Sequence, residues 1–400
     1  MAPSIDRIKA LMDEVRAIEA SAPNQARKRL WQARPHGEFE PAFIRTLPYA
    51  RPRGGPRGGK IPFVVEPALG MWVHILGFDR RAYYTDPVTY LTVELEKKVY
   101  HARLFRDDTY IDKSFRILIA TALEASLVGV LYAFTAEGHP LPDYLHPPVK
   151  EPSDLARLEL PDFHRTGLMP TVIRLYEEMR RLLDDDFLVK FPDWIMGPFG
   201  VATELRGFDG LLIDMVQRPA FVEKLFAYVV EARLHWQAAC DAYLGVRRTR
   251  GLLGNDDVNT PTLSPWLYRE MVLPWEQKLC ATYGGIFYWH SCGDTSALIP
   301  DIARIPTLDL FHVGPKTDIA RAAQAFGPRA IPLEICPDPI EKVQQATPDQ
   351  QRDHLAAVLD QIPADVSCYI KVDSLEVLRS PEAELATIQQ WIATARELLG

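Results

Sequence analysis

From Ile61 onward the chain alternates short apolar runs with long stretches of helical periodicity, and this alternation constrains the fold more than any other feature of the sequence. Parallel neighbouring strands need a crossover of a dozen or more residues, so strands separated by helices lead to a parallel sheet covered by those helices. Eight runs have strand character, at residues 61–66, 103–107, 188–191, 251–254, 286–289, 308–313, 330–335 and 368–372. Helical patterns are predicted over 115–132, 170–183, 219–244, 265–283, 294–303, 318–326 and 348–361, with a proline-rich insertion at 140–161 that could lie over one end of the sheet. Eight strands with intervening helices predict an α/β fold of the (β/α)8 TIM-barrel class. The alternative is an open doubly wound sheet, but no Gly-x-Gly-x-x-Gly turn follows a strand to support dinucleotide binding.

Before the barrel pattern, residues 4–20 read as an amphipathic helix, with Ile5, Ile8, Leu11, Met12, Val15 and Ile18 at helical spacing. A break rich in glycine, proline and arginine follows at 51–60 and reads as a mobile loop. The expected organisation is an N-terminal helical extension over 1–60 and the barrel over 61–400. A net charge of -8 argues against general nucleic-acid binding. No apolar run is long enough to cross a membrane, and Asp6, Arg7, Lys9 and Asp13 interrupt any secretory core, so a cytoplasmic protein is expected. Five cysteines in 400 residues are too sparse for a disulfide framework and read as thiols, some available to a metal.

Active sites of such barrels lie at the C-terminal ends of the strands, which directs attention to the residues just after each run. Glu66 follows the first, Asp107-Asp108-Thr109 the second, Asn255-Asp256-Asp257 the fourth and His290-Ser291-Cys292-Gly293-Asp294 the fifth. Glu334 and Cys336 close the seventh, and Asp373-Ser374 the eighth. Acids in such loops equally often cap the next helix, as Asp294 is placed to do. His290-x-Cys292 is the sharpest feature, because imidazole and thiolate two residues apart at a strand end can turn towards one zinc ion. Cys336, immediately before Pro337-Asp338-Pro339, falls at the same end and offers a third ligand. Three protein ligands with an open fourth position form the pattern of catalytic rather than structural zinc. Cys368 competes for that role but begins its strand and would face the opposite end, while Cys240 and Cys280 lie on helices as packing residues.

With these motifs in view, the chain resembles the uroporphyrinogen decarboxylase superfamily over residues 62–398. The resemblance rests on Met196-Gly197-Pro198-Phe199-Gly200 with Arg206-Gly207-Phe208, on Asp256-Asp257 followed by Leu263-Ser264-Pro265 and Pro274, and on Ile335-Cys336-Pro337-Asp338-Pro339. The last stands where the family has a Gly-Asn-x-Asp-Pro turn, so Cys336 replaces an asparagine. True decarboxylases of this family carry an N-terminal arginine-rich signature that holds the tetrapyrrole. The stretch 62–72 has no arginine for substrate carboxylates. The zinc-dependent, corrinoid-linked methyltransferases of the superfamily instead use His-x-Cys after strand five and a further cysteine near strand eight. His290 and Cys292 match the pair. The further cysteine would fall near Asp373 or Ser374, and either Cys336 or Cys368 stands in for it.

The resemblance implies a methyl transfer between a small substrate (methyl ether, amine, thiol or folate) and a corrinoid. A separate corrinoid protein is then expected as partner, since no Asp-x-His-x-x-Gly motif occurs here. Zinc would be held by His290, Cys292 and Cys336, with Glu66, Asp107 and Asp257 orienting substrate or moving protons. A cofactor-free carboxy-lyase on the same barrel is the alternative, with the missing arginine cluster against it.

Overall fold

A computed structural model describes residues 4–32, 47–48, 60–119 and 121–400. The loop expected at 51–60 lies outside these apart from Lys60, whose ammonium pairs with Asp108 at 2.6 Å. Helix α1 spans Ile5–Ala20 and begins where the Ser4 hydroxyl accepts a hydrogen bond from the Arg7 N–H. Ile8, Leu11, Met12 and Val15 form its buried stripe, packed on helix α2, Pro87–Leu104. An ion pair from Arg7 to Glu96 at 2.9 Å fixes that contact.

The strands with parallel partners are β1 (Phe63–Pro67), β2 (Ser114–Arg116), β3 (Leu188–Lys190), β4 (Gly251–Gly254), β5 (Ile286–His290), β6 (Phe311–Val313), β7 (Leu333–Ile335) and β8 (Cys368–Leu375). Six of them form one parallel sheet in the order β1-β8-β7-β6-β5-β4, while β2 and β3 make a separate parallel pair. From β4 to β8 each strand pairs with its chain neighbour and β8 returns to β1, as in a barrel, but the ladder is interrupted in two places. Between β3 and β4 one parallel bridge, Met196 to Gly254, carries the connection. Between β1 and β2 the edge is covered by side chains: the Phe63 N–H donates to the Asp108 carboxylate (3.1 Å) and the Val65 N–H to that of Asp107 (2.7 Å). Carboxylates here take the place of a strand partner, satisfying backbone groups that an edge would leave open. The hydrogen bonds therefore establish a six-stranded parallel sheet of TIM-barrel type, and the closed eight-stranded ladder expected from the sequence is not completed.

Two expected elements are corrected. Residues 103–107 are not a strand: α2 runs without a breaker to Leu104, and the chain reverses at Arg106, which is left-handed at φ 50°. The second strand comes seven residues beyond the end of that run, at Ser114. The helix expected over 115–132 is instead β2, a short helix at Ala122–Leu127, and a strand at Tyr132–Phe134 paired with Pro140–Pro142. Gly129 at φ 91° ends the helical turn there. Most of this stretch is buried, so its apolar pattern carries no helical period to distinguish the two states.

Two apolar clusters follow from the strand alternation, broken once where the β4–β5 register skips Phe287. The larger lies between the sheet and its helices and takes Trp289, Phe311, Val313, Leu333, Ile335, Ile370 and Val372. The smaller one, Leu252, Phe287, Tyr288, Leu310 and Tyr369, lies on the concave side. Barrel interiors are ordinarily filled by branched aliphatic residues. Here the apolar layer is thin, and polar side chains occupy the remaining inward positions.

Candidate metal centre

Alternation along the strands brings Tyr288 and His290 of β5, His312 of β6, Glu334 of β7, and Tyr369 and Lys371 of β8 to the inner face, with Cys336 just beyond β7. Register aligns them: His312 pairs with Glu334, Glu334 with Tyr369, and Gly254 with His290. His290 and Cys292 do converge, as their spacing suggests, with Nε2 and Sγ 3.3 Å apart. Cys292 is exposed at the rim, while His290 is largely buried. Asp256, after β4, holds both: its Oδ1 lies 3.1 Å from His290 Nε2 and accepts the Cys292 N–H at 3.1 Å. Burial disfavours a charge on His290, but Asp256 and Cys292 outweigh it and push the imidazole up to about 10.

His312, which the sequence reading did not single out, lies at the centre of the cluster. Its ring centroid is 4.1 Å from that of His290. Nδ1 is 3.0 Å from Glu334 Oε1, 3.1 Å from the Tyr288 hydroxyl and 3.7 Å from Cys336 Sγ. Burial, then the neighbouring His290, brings His312 down to about 4 in spite of Glu334, so the ring is neutral at physiological pH. Glu334 accepts short hydrogen bonds from the Tyr288 and Tyr369 hydroxyls. Burial opposes its charge, but Lys371 and His312 hold it well below the usual carboxylate range. Burial and Glu334 together raise the Cys336 thiol well above its ordinary value. Two groups of donor atoms lie within 4.8 Å of one another, His290 with Cys292 and His312, and His312 with Glu334 and Cys336. Two imidazoles, two thiols and a carboxylate form a donor set suited to zinc.

The remaining expected residues fall at different distances from this cluster. Glu66, next to last in β1, is exposed and pairs with Lys371 at 3.0 Å, which also meets Asp373 at 3.1 Å. A cavity of about 220 Å³ beside Glu334, Tyr369 and Lys371 is lined in part by Glu66. Asp257 follows Asp256 and accepts from the Thr203 hydroxyl at 3.3 Å. Burial raises its carboxyl. Tyr144, from the proline-rich insertion, comes within electrostatic reach of Asp257 and Glu204, which puts that insertion beside the same strand ends. Asp107 is not brought to the cluster. Its oxygens take the N–H groups of Val65 and Thr109, the Thr109 hydroxyl and His101 Nε2 at 3.0 Å, so it secures the turn after α2. Cys368 pairs with Leu333 and belongs to the outer core, away from the donors.

Comparison with known proteins gives the family and the fold. The profile of the uroporphyrinogen decarboxylase (URO-D) family matches residues 114–397. A methylated-thiol--coenzyme M methyltransferase of Methanosarcina mazei is 26% identical over 186 residues, 45% of this chain and 47% of that protein. The match thus spans about half the length of that relative. The fold is shared with a solved methyltransferase from Methanosarcina mazei at a TM-score of 0.60 and 14% identity, covering 86% of this chain and 95% of the other. With the family profile spanning more than half of the chain, including every donor of the cluster, this protein belongs to the uroporphyrinogen decarboxylase family.

Proposed function

We propose that this protein is a zinc-dependent methyltransferase that moves a methyl group between a small substrate and a corrinoid carried by a separate protein. The observation that carries the reading is the convergence of His290, Cys292, His312 and Cys336 on the inner face of one parallel sheet, at its C-terminal end. His290 and Cys292 supply two ligands, and the β6–β7 side supplies the third, from Cys336 or from His312 beside it. Similarity to a methyltransferase that acts on methylated thiols supports the reaction class. Bound zinc would lower the pKa of a substrate thiol, or draw electrons from an ether or amine so that its methyl group leaves.

The chain's own residues then have separable tasks. The Tyr288 hydroxyl, 2.9 Å from His290 Nδ1, orients the ring with Nε2 towards Cys292, and Asp256 fixes the backbone at Cys292, so the pair is arranged before a ligand arrives. Glu66, held by Lys371 at the rim of the inner cavity, and Asp257, a carboxyl raised by burial, orient the substrate or exchange its proton. No helix among the described residues is long and apolar enough to cross a membrane, and the reading places the protein in the cytoplasm with its partner.

The test is to follow the visible spectrum of a corrinoid protein mixed with this chain, in both directions. Reduced corrinoid is combined with methyl ethers, methylamines or methylthiols, and methyl-corrinoid with thiol or folate acceptors. Conversion between the two cobalt spectra in one direction is expected. No conversion in either, with carbon dioxide released from a carboxylated substrate by zinc-free enzyme, would overturn the assignment.

A further inference from the structure

The geometry points to His312 as the third protein ligand of the metal centre, with Glu334 as the carboxylate that orients it and Cys336 as a neighbour outside the coordination sphere. This rests on the zinc reading above. Three observations carry it. Among the described residues, Nε2 of His312 is buried and has no hydrogen-bond partner. A buried polar atom without a partner loses its hydration with nothing in return and calls for an explanation. The other ring nitrogen is already committed to Glu334 and Tyr288. A carboxylate can only accept, so Nδ1 carries the proton towards Glu334 and Nε2 keeps a free lone pair, the form in which imidazole binds metal.

Donor atoms of His290, Cys292 and His312 lie within 4.8 Å of one another, a separation that small side-chain movements can close around one ion. The rival set built on Cys336 approaches His312 from the wrong side. Cys336 Sγ is 3.7 Å from Nδ1 and 3.9 Å from Glu334 Oε1, so an ion there would displace the Nδ1 hydrogen bond and still leave Nε2 without a partner. An ion held by His290, Cys292 and Nε2 of His312 would give the orphaned nitrogen a partner and keep every hydrogen bond of Glu334, replacing only the contact of the solvent-exposed Asp256 carboxylate with His290 Nε2. A histidine ligand whose second nitrogen donates to a carboxylate is the usual arrangement around zinc, because the carboxylate sets both ring orientation and ligand basicity. Tyr288 and Tyr369 in turn hold Glu334 from two sides.

The ligand set can be counted directly by X-ray absorption of the zinc-loaded full chain, alongside zinc affinity measured against a competing chelator. One sulfur at about 2.3 Å and at least two nitrogens at about 2.0–2.1 Å are expected in the wild type. His312→Gln should weaken zinc at least tenfold and leave the sulfur count at one, and Glu334→Gln should weaken it about 10–100-fold. Cys336→Ser should change neither affinity nor sulfur count. A two-sulfur shell that falls to one in Cys336→Ser overturns the inference while leaving the zinc reading intact. Failure of the wild type to bind zinc at all would remove both. The wild-type shell decides the matter even if His312→Gln does not fold.

Discussion

Glu204 has a buried carboxylate oxygen without a partner among the described residues, and the charges acting on it, Asp257 and Glu124, have its own sign. Burial, then these two acids, push it up to about 7 from 4.5. The folded protein therefore holds this proton more tightly than the unfolded chain. The stability it contributes is present below about pH 4.5 and is lost as pH rises through about 7. Glu204→Gln removes the titration, so the variant should gain on the wild type between pH 5 and 8, by on the order of 1 kcal/mol after solvent screening. Melting temperatures at both pH values check this, and a difference that does not depend on pH would count against it. At the same scale, His290 and Cys292 were legible in the sequence because two metal-binding residue types rarely occur two apart at a strand end. His312 was not, because a single histidine inside an apolar run reads the same whether packed or ligating. Its significance comes only from what Glu334 and Tyr288 occupy and what they leave open. Asp107 looked like a strand-end acid, yet its oxygens serve backbone N–H groups of a strand edge that no local pattern discloses.

Among the elements, the six strands of the continuous sheet and the long helices were readable because turn residues and clear periodicity bound them. Helix Pro219–Leu244 begins and ends where its proline and the following glycine place it. The region 103–132 was not, because helix α2 ends without a breaker and the next stretch is too buried to show a period. The turn after β5 depends on Gly314, after β6: a Cβ there would stand 2.8 Å from the Ser291 carbonyl oxygen and 3.1 Å from that of Cys292. These are backbone atoms and cannot rotate aside, so Gly314→Ala should push the His290–Cys292 turn and weaken zinc at least tenfold. Chelator competition tests this, with unchanged affinity as the contrary result. The packing of α1 on α2 is separate from the site. Leu11→Ala should cost about 2–5 kcal/mol by leaving a cavity under α1, seen as a lower urea midpoint, with zinc affinity unchanged. A loss of zinc in that variant would show that the extension supports the centre after all.

At the level of the whole molecule, the parallel sheet gathers residues from four strands and two loops onto one face, and the family profile spans the same region. Barrel class followed from the strand–helix alternation, whereas at the two gaps in the ladder side-chain carboxylates accept strand-edge N–H groups: Asp107 and Asp108 at β1, and Glu124, from the short helix after β2, which accepts the Ile195 N–H of the β3–β4 link at 2.8 Å. Such substitutions of side chain for strand are long-range pairings that a linear pattern does not contain. Everything proposed for activity turns on the metal. The most direct measurement is elemental analysis of the purified chain and of its His290→Ala, Cys292→Ala double variant. About one zinc per wild-type chain, absent from the double variant with its melting behaviour otherwise preserved, is the expected result. Full zinc retention by the double variant, or a wild type that takes up none, would contradict it.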